Sequence, residues 1–253
     1  MQLEDLKNPN APWLVFLHGL MGSAANWRRI VPAFDDEYQV LTYDQKEPKS
    51  GYSPVDYAED LFTLLGELKI PKINLVGHSQ GGRIAVAFSL AYPHLIEKLV
   101  IEDIGPDEGG KRGKALALLL KSIPAPFPSK KEAKEFLLNE LGDPKLGNFL
   151  YTKIGVLPNG TASWTLDLNA ILLTIEEGAK FLTVEKLQQI KCPTLIMRGQ
   201  NSREWTHSDF SKIINANSLF KGVEIPGAGH WVHFDEPNLF IRAVKTFLEE
   251  PKK

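Results

Sequence analysis

Short apolar segments that alternate with helical patterns are the feature that most constrains the fold of this chain. Six segments are too short for helices and rich in large aliphatic residues: 13–17, 39–43, 73–77, 99–103, 194–198 and 222–225. Three further segments have the periodicity of helices: 55–69, 81–92 and 238–250. Because strands that are apolar on both faces fit a parallel sheet between helices, we predict an α/β fold with a mostly parallel, doubly wound sheet.

The alternation is interrupted once, between residues 106 and 190, where the sequence has no strand-like apolar run. Two stretches in this interval, KRGKALALLLKSI and KKEAKEFLLNEL, have helical periodicity and are separated by the proline-rich PAPFPS. We therefore predict a core of residues 1–105 and 191–253 and a helical cap of residues 106–190 inserted in it. Insertions that follow the C-terminal end of a strand lie where α/β proteins bind ligands, so we expect the cap to cover a site.

Composition excludes several kinds of partner. The chain has 253 residues, a formal net charge of −2 and no basic run, so we do not expect nucleic acid as a partner. No apolar stretch reaches the ~18 residues of a membrane span, and the first ten residues lack the layout of a secretory signal, so the expected location is cytoplasmic. A single cysteine, Cys192, excludes an internal disulfide and a cysteine metal cluster. The sequence does not determine the oligomeric state.

The stretch LVGHSQGGR, residues 75–83, links a predicted strand to a predicted helix. It contains G-x-S-x-G, the pattern of a nucleophile elbow, with Ser79 at its tip. Such a turn strains the serine backbone, so the positions two residues away on each side, Gly77 and Gly81, need to be free of side chains. We predict that Ser79 is a nucleophile pointing into a cleft; the alternative is a glycine-rich turn with an incidental serine.

A serine nucleophile needs a base, and His230 is the best candidate. It lies in EIPGAGHWVH, a glycine-rich loop between the last predicted strand and the last predicted helix. A serine followed late in the chain by a histidine is the order of an α/β hydrolase. His233, three residues later, suggests a zinc site as an alternative. This alternative is weak, because H-x-x-H has no supporting ligand pattern here. We predict neither a metal nor a cofactor.

The loop LHGLMGS, residues 17–23, directly follows the first strong strand. Acyl transfer needs an oxyanion hole, which this fold builds from the amide after the nucleophile and an amide of this early loop. Those amides belong to Gln80 and Leu20, and we expect His18 and Gly19 to shape the loop. A phosphate-binding loop is the alternative, but the lysine and glycine spacing of a Walker A sequence is missing.

Four stretches together resemble small serine esterases of the α/β hydrolase superfamily over nearly the whole chain: FLHGLMGSAANW, LVGHSQGGR, LVIEDIGP and VEIPGAGHWVHFDEPNLFIRAVKTFL. The resemblance is closest to bacterial acyl esterases and their mitochondrial relatives. It implies Ser79 as nucleophile, His230 as base and a helical cap over an acyl pocket. The chain departs from the usual D-x-R-N-H-G-x-S, reading YDQKEPKSGYSP, which keeps Asp44 and Ser53 but loses the arginine, asparagine and histidine.

The acid of the triad is the second departure. Many members of the superfamily carry it in a G-x-x-D after the penultimate strand, where this chain has Ser202. Four aspartates are candidates instead: Asp103, Asp167, Asp209 and Asp235. We predict Asp103, because it ends the strand beside the nucleophile strand, about 4.8 Å away, and the resembling esterases have an aspartate there. The other three lie in the cap, in a predicted helix and on the histidine loop itself. The alternative role of Asp103 is a turn cap before Pro106.

The predicted function is a serine carboxylic ester hydrolase that acts on short- to medium-chain acyl esters through an acyl-enzyme. A small-molecule ester is the expected partner. Carbon–carbon bond hydrolysis and the 2-succinyl-6-hydroxy-2,4-cyclohexadiene-1-carboxylate synthase reaction are alternatives, and Arg83 after the double glycine resembles that synthase, although a surface or structural ion pair would explain it equally. A non-catalytic binding protein of the same fold is a third possibility. Five cap aromatic residues could line the acyl pocket or form core: Phe127, Phe136, Phe149, Tyr151 and Trp164.

Overall fold

The structure is a computed structural model that describes residues 10–48, 52–107 and 110–251. The first nine residues, in which we looked for a secretory signal, lie outside the described ranges. The strands are β1 (Trp13–Leu17), β2 (Gln39–Thr42), β3 (Ile73–His78), β4 (Ile96–Glu102), β5 (Ile154–Val156), β6 (Ala162–Trp164), β7 (Thr194–Gly199) and β8 (Phe220–Ile225). The α-helices are α1 (Pro54–Glu67), α2 (Gln80–Ala91), α3 (Lys111–Ser122), α4 (Lys130–Asn139), α5 (Pro144–Tyr151), α6 (Leu168–Phe181), α7 (Val184–Gln188), α8 (His207–Ile214), α9 (Val232–Asp235) and α10 (Pro237–Glu249).

Six strands form the main sheet in the order β2-β1-β3-β4-β7-β8, and every pairing in it is parallel. The predicted fold class is confirmed, and each of the six predicted strands is present within a few residues of its predicted limits. Because the strands are parallel, β3, β4 and β7 end at the same edge of the sheet, where the loops after them can meet. None of the helices in the described residues is long and apolar enough to cross a membrane.

The two faces of the sheet pack against different helices. Alternate side chains of β1 point to opposite faces, so Val15 and Leu17 join a core with α1 and α2. Leu14 and Phe16 join a second core with α10, which contributes Phe240 among others. Since both faces are buried, the central strands need apolar residues at nearly every position, which explains their continuous apolar runs.

Helices α3 to α7 lie between β4 and β7 in the chain, and α3 to α6 contribute to a separate apolar core, which includes Leu120, Leu137 and Leu150. The sequence analysis predicted helices and no strands in this insertion, and the prediction was incomplete. Strands β5 and β6 pair antiparallel and form a separate two-stranded sheet. Each has only three residues, and Val156 is exposed, so neither strand has the apolar run that marks a buried strand. The limits of the two domains stay a prediction.

Candidate active site

The turn between β3 and α2 has the strained geometry that its glycines suggest. Ser79 has a φ of 53° and a ψ of −116°, a conformation that costs a non-glycine residue ~1–3 kcal/mol. A Cβ atom on Gly77 would lie 2.2 Å from the carbonyl oxygen of Gly81, and one on Gly81 would lie 2.3 Å from that of Leu17. Both distances are impossible, so only glycine fits at these two positions while the turn keeps this shape.

His230 lies on the loop between β8 and α9, at the same edge of the sheet as Ser79. Its Nδ1 atom is 2.8 Å from Oδ2 of Asp103, so the imidazole donates this proton to the carboxylate. His230 and Ser79 line one cavity. The structure therefore brings Ser79, His230 and Asp103 into one site, although His230 and Asp103 are 127 positions apart in the sequence.

Asp103 follows β4 and is completely buried. Besides the His230 proton, its carboxylate accepts hydrogen bonds from Gly199 N at 3.0 Å, Ser202 Oγ at 2.5 Å and Trp205 Nε1 at 3.3 Å. Hydrogen bonds from several donors stabilise the ionised form of a buried carboxylate. Ser202, which occupies the usual position of the acid, thus donates to the aspartate on the neighbouring strand. The sequence contained no signal for this role.

Two opposing effects act on the pKa of His230. Burial alone would lower it, but the hydrogen bond to Asp103 and the negative charges of Glu204, Asp103 and Glu102 outweigh burial, so the pKa is raised above 6.5. The largest charge effect comes from Glu204, which lines the same cavity. Protonation of this histidine is therefore favoured by nearby acids, as an imidazolium intermediate would require.

The three other candidate acids have partners of their own in the described structure. Asp167 is the N-cap of α6 and accepts from two of its backbone amides. Asp209 forms a capping box with Thr206 at the start of α8. Asp235 accepts from Gly229 N at 2.8 Å and pairs with Lys145. These contacts leave Asp103 as the candidate that meets His230.

The predicted oxyanion residues Leu20 and Gln80 both line the cavity. The loop that carries Leu20 turns tightly, because the Gly22 amide donates to the Gly19 carbonyl at 2.9 Å. A Cβ atom on Gly19 would lie 2.9 Å from Nδ1 of His78, so glycine lets the loop approach the elbow closely. The loop backbone is thus held against the turn that carries Ser79, where amides of the two segments can converge.

The unusual segment after β2 supports this loop. Gln45 donates from its side-chain amide to the His18 carbonyl at 2.9 Å, and its backbone amide donates to His18 Nε2 at 3.1 Å. Burial lowers the pKa of His18, which keeps the ring neutral and lets Nε2 accept. Asp44 accepts from Ala24 N at 2.7 Å, and Ser53 caps α1. Residues 49–51 of the altered motif lie outside the described ranges.

A second buried pair lies beside the first and was not predicted. Glu102, directly before Asp103, accepts from the His233 backbone amide and from Nδ1 of its ring, each at 2.8 Å. His78 Nε2 lies 2.9 Å from the His230 carbonyl, and burial lowers the pKa of His78 to about 3, so the neutral ring donates this proton. Two consecutive acids, at the end of β4 and directly after it, therefore hydrogen-bond the two histidines of H-W-V-H. Two features of the sequence could have indicated this second pair: the three-residue spacing of the histidines and the adjacent Glu102 and Asp103.

His78, Glu102 and His233 also offer potential metal ligands within 4.8 Å of one another. The same atoms already take part in hydrogen bonds: Glu102 with His233, and His78 with a carbonyl. The alternative suggested by H-x-x-H needed His230 and His233 to share a zinc ion. In the structure these two histidines bind different carboxylates instead.

The cavity has a volume of about 570 Å³, within the usual range of small-molecule sites. The core contributes Ser79 and His230, while the insertion contributes a segment at the start of α5 and part of α3 and α6. Of the five cap aromatic residues considered above, Phe149 lines the cavity, and its ring centroid is 6.0 Å from that of Trp231. The cavity therefore lies between the insertion and the edge of the sheet that carries Ser79 and His230.

Comparisons with known proteins agree with this architecture. Residues 14–243 match the sequence profile of the Alpha/beta hydrolase family. The sn-1-specific diacylglycerol lipase ABHD11 of Danio rerio is 32% identical, over 97% of this chain and 80% of the relative. A solved structure of a marine microorganism esterase is 30% identical, with a TM-score of 0.78 over 95% of this chain and 97% of that chain.

The structure of E-2-(acetamidomethylene)succinate hydrolase has a TM-score of 0.80 over 95% of this chain and 92% of that chain, but is only 23% identical and shows the fold alone. The esterase and lipase relatives, in contrast, match nearly the full chain at 30% identity or more. They confirm the expectation of a carboxylic ester hydrolase. The profile match and these relatives show that the chain belongs to the Alpha/beta hydrolase family.

Proposed function

We propose that this enzyme hydrolyses short- to medium-chain acyl esters through a triad of Ser79, His230 and Asp103. The observation that carries the proposal is the 2.8 Å contact between His230 Nδ1 and the buried Asp103 carboxylate, in a histidine that shares a cavity with Ser79. A proton held on Nδ1 leaves Nε2 with a lone pair, which is the form that a general base needs. Cytoplasmic action is part of the proposal, on the sequence grounds given above.

The first half of the reaction forms the acyl-enzyme. His230 Nε2 takes the proton of the Ser79 hydroxyl while its oxygen attacks the ester carbonyl carbon. The carbonyl oxygen becomes an oxyanion and accepts hydrogen bonds from the amides of Leu20 and Gln80. Asp103 stabilises the imidazolium without taking its proton. Collapse of the tetrahedral intermediate breaks the bond to the alcohol oxygen, which leaves with the proton from His230.

The second half returns the enzyme to its starting state. His230 takes a proton from water, and the resulting hydroxide equivalent attacks the acyl carbon of the acyl-enzyme. The same two amides stabilise the second oxyanion. The bond to Ser79 Oγ then breaks, and Oγ regains the proton from His230. The acid product leaves, and no cofactor enters either half.

Replacement of the nucleophile tests the proposal. We expect Ser79→Ala to lower turnover of p-nitrophenyl butyrate by at least ~10³-fold and to abolish labelling by a fluorophosphonate. Ser122→Ala, which removes an exposed serine at the end of α3, is the matched control and should keep the label. Labelling that persists in Ser79→Ala would refute the nucleophile. Absence of burst acylation in the unaltered enzyme would favour a non-catalytic protein of the same fold.

Competing chemistries are separated by a substrate panel. Carbon–carbon bond hydrolysis and the synthase reaction would use the same serine and histidine, because fold and triad do not determine the substrate. We expect p-nitrophenyl esters from acetate to laurate to be hydrolysed, with a maximum at short or medium chain length. An enzyme that cleaves none of them, yet turns over the synthase substrate, would replace the ester proposal.

A further inference from the structure

Arg83 is a cation of the active-site cavity that the proposed mechanism does not use. Its backbone amide donates to the Ser79 carbonyl at 3.2 Å, so it lies one helical turn after the nucleophile. Its side chain lines the same cavity as Ser79 and His230. A positive charge at this position therefore faces any ester bound for attack.

No carboxylate of the described residues forms an ion pair with Arg83. Its Nη1 atom donates to Oε1 of Gln80 at 3.3 Å, and its Nε atom is buried and has no hydrogen-bond partner among the described residues. Asp107 has other partners, because it pairs with Arg112 at 3.5 Å and accepts from Gly113 N at 2.9 Å. Within the described part of the chain, an ion pair thus does not account for the arginine.

Gln80, like Arg83, has a buried N–H donor without an acceptor among the described residues. Because Arg83 donates to its Oε1 atom, the side-chain amide is oriented with Nε2 away from the guanidinium, and Nε2 is buried without a hydrogen-bond partner in the described residues. Burial lowers the pKa of Arg83 to about 10, against the opposing charge of Glu204, so the guanidinium stays charged at neutral pH. Two adjacent side chains therefore hold N–H groups that lack acceptors, and a bound anion would compensate both.

Two other cations that line the cavity have carboxylate partners. Lys145 pairs with Asp235, and Arg112 pairs with Asp107. Glu204 also lines the cavity, but it does not form an ion pair with Arg83 within the described structure. With one acid already nearby, the uncompensated charge suits a singly charged ligand group better than a doubly charged phosphate.

We propose that Arg83 and Gln80 form a subsite for a carboxylate, and that the substrate is an ester carrying a carboxylate a few carbons from the scissile bond. The two oxygens of a carboxylate match the planar fork of a guanidinium, which distinguishes this group from other acceptors. The subsite rests on the proposed function, because it matters only if Ser79 attacks an ester in this cavity. It adds a class of substrate, half-esters of dicarboxylic acids, to that function.

The test compares charged and neutral substrates of equal size. Monoethyl esters of succinic, glutaric and adipic acid are assayed beside analogues in which a primary amide replaces the carboxylate, and ethanol release is measured. We expect kcat/KM to favour the carboxylate by about tenfold or more for at least one length, as a hydrogen bond to a charged group provides. Arg83→Met should abolish this preference, and Arg83→Lys should retain part of it.

Arg203→Met is the matched control, since Arg203 is an exposed cation lining the same cavity. We expect it to change the preference by less than about threefold, because exposed charges are screened. Equal rates for carboxylate and amide in the unaltered enzyme would refute the subsite. So would an Arg83→Met enzyme that keeps the preference, or one that loses activity on both substrates equally.

A binding measurement separates the subsite from the catalytic proposal. Ser79→Ala enzyme is titrated calorimetrically with monoethyl glutarate and with its amide analogue, which needs no turnover. Tighter binding of the carboxylate would support the subsite even if Ser79 proved not to be the nucleophile; equal binding would refute it. Because the Ser79→Ala titration leaves Arg83 in place, it also covers the case in which Arg83→Met fails to fold, as judged by circular dichroism.

Discussion

The sheet and the insertion of this enzyme differ in what they bury. Every residue of β3 and β7 is buried between two layers of helices. By contrast, α3 buries only Leu120, and Leu118 on the same helix is 68% exposed. The proposed triad lies on loops that follow sheet strands, whereas the insertion supplies a side of the cavity. Changes in the core should therefore alter the rate of the chemistry, and changes in the insertion should alter which ester is accepted.

The largest effect is expected where a core carboxylate is neutralised. Asp103→Asn should lower turnover of p-nitrophenyl butyrate by ~10³- to 10⁴-fold, because an amide no longer holds the His230 proton on Nδ1 or stabilises the imidazolium. Asparagine keeps the volume and the two hydrogen bonds that Oδ1 accepts from Gly199 N and Trp205 Nε1, so thermal stability should stay nearly unchanged. Activity assays and thermal unfolding measure the two effects.

Asp167→Asn is the corresponding change in the insertion. Asp167 caps α6, and asparagine caps helices about as well, so both turnover and stability should change little. If Asp103→Asn keeps near-normal activity, the proposed division between a catalytic core and a selective insertion is wrong. A large loss in Asp167→Asn or Asp209→Asn with an active Asp103→Asn enzyme would move the acid to one of those positions.

An intermediate effect, on selectivity, is expected from the cavity wall of the insertion. Phe149→Ala should change the ratio of kcat/KM for octanoate and acetate p-nitrophenyl esters by about tenfold, because each methylene in a pocket contributes ~1–3 kcal/mol. Turnover of the acetate ester should change less than that of the octanoate ester.

Phe136→Ala is its control, since Phe136 packs in the apolar core of the insertion and does not line the cavity. This control should lower the melting temperature and leave the chain-length ratio unchanged. An equal loss on all esters in Phe149→Ala would indicate that the insertion supports the chemistry itself, contrary to the comparison.

The smallest effect concerns the pH dependence set by Glu204. His230 acts as a base only when neutral, so kcat/KM should rise with pH through the raised pKa of His230 and fall as pH drops below it. Glu204→Gln removes a charge that raises this pKa, so the rising limb should move to lower pH. A neutral ester is used, to keep the Arg83 subsite out of the measurement.

Glu97 lies on β4, at the far end of the strand from Asp103, and pairs with Lys72. Glu97→Gln removes its negative charge far from His230 and should leave the rising limb at the same pH. If Glu204→Gln also leaves it unchanged, Glu204 does not act on His230 in solution. A shift to higher pH would contradict the sign of the electrostatic argument.

Much of the fold could be predicted from the sequence, with errors where local residues conceal the structure. Strand β4 begins at Ile96, three residues before the predicted start. The prediction missed these residues because two of them are charged and precede the apolar run. Lys98 is buried there, and its ammonium donates to the carbonyls of Phe247 and Leu248 at the end of α10. A lysine that caps a helix 149 residues away cannot be distinguished from an exposed one by sequence pattern.

The sequence by itself determined the α/β alternation, the elbow glycines and the placement of a histidine in the last loop, because these depend on local periodicity and backbone sterics. Only the tertiary structure decided how the acids are used. Ser202, Trp205 and Gly199 all direct donors at Asp103, and Glu102 holds His233. Those contacts join distant segments at one edge of the sheet, and their energy depends on burial and distance, which no residue pattern records.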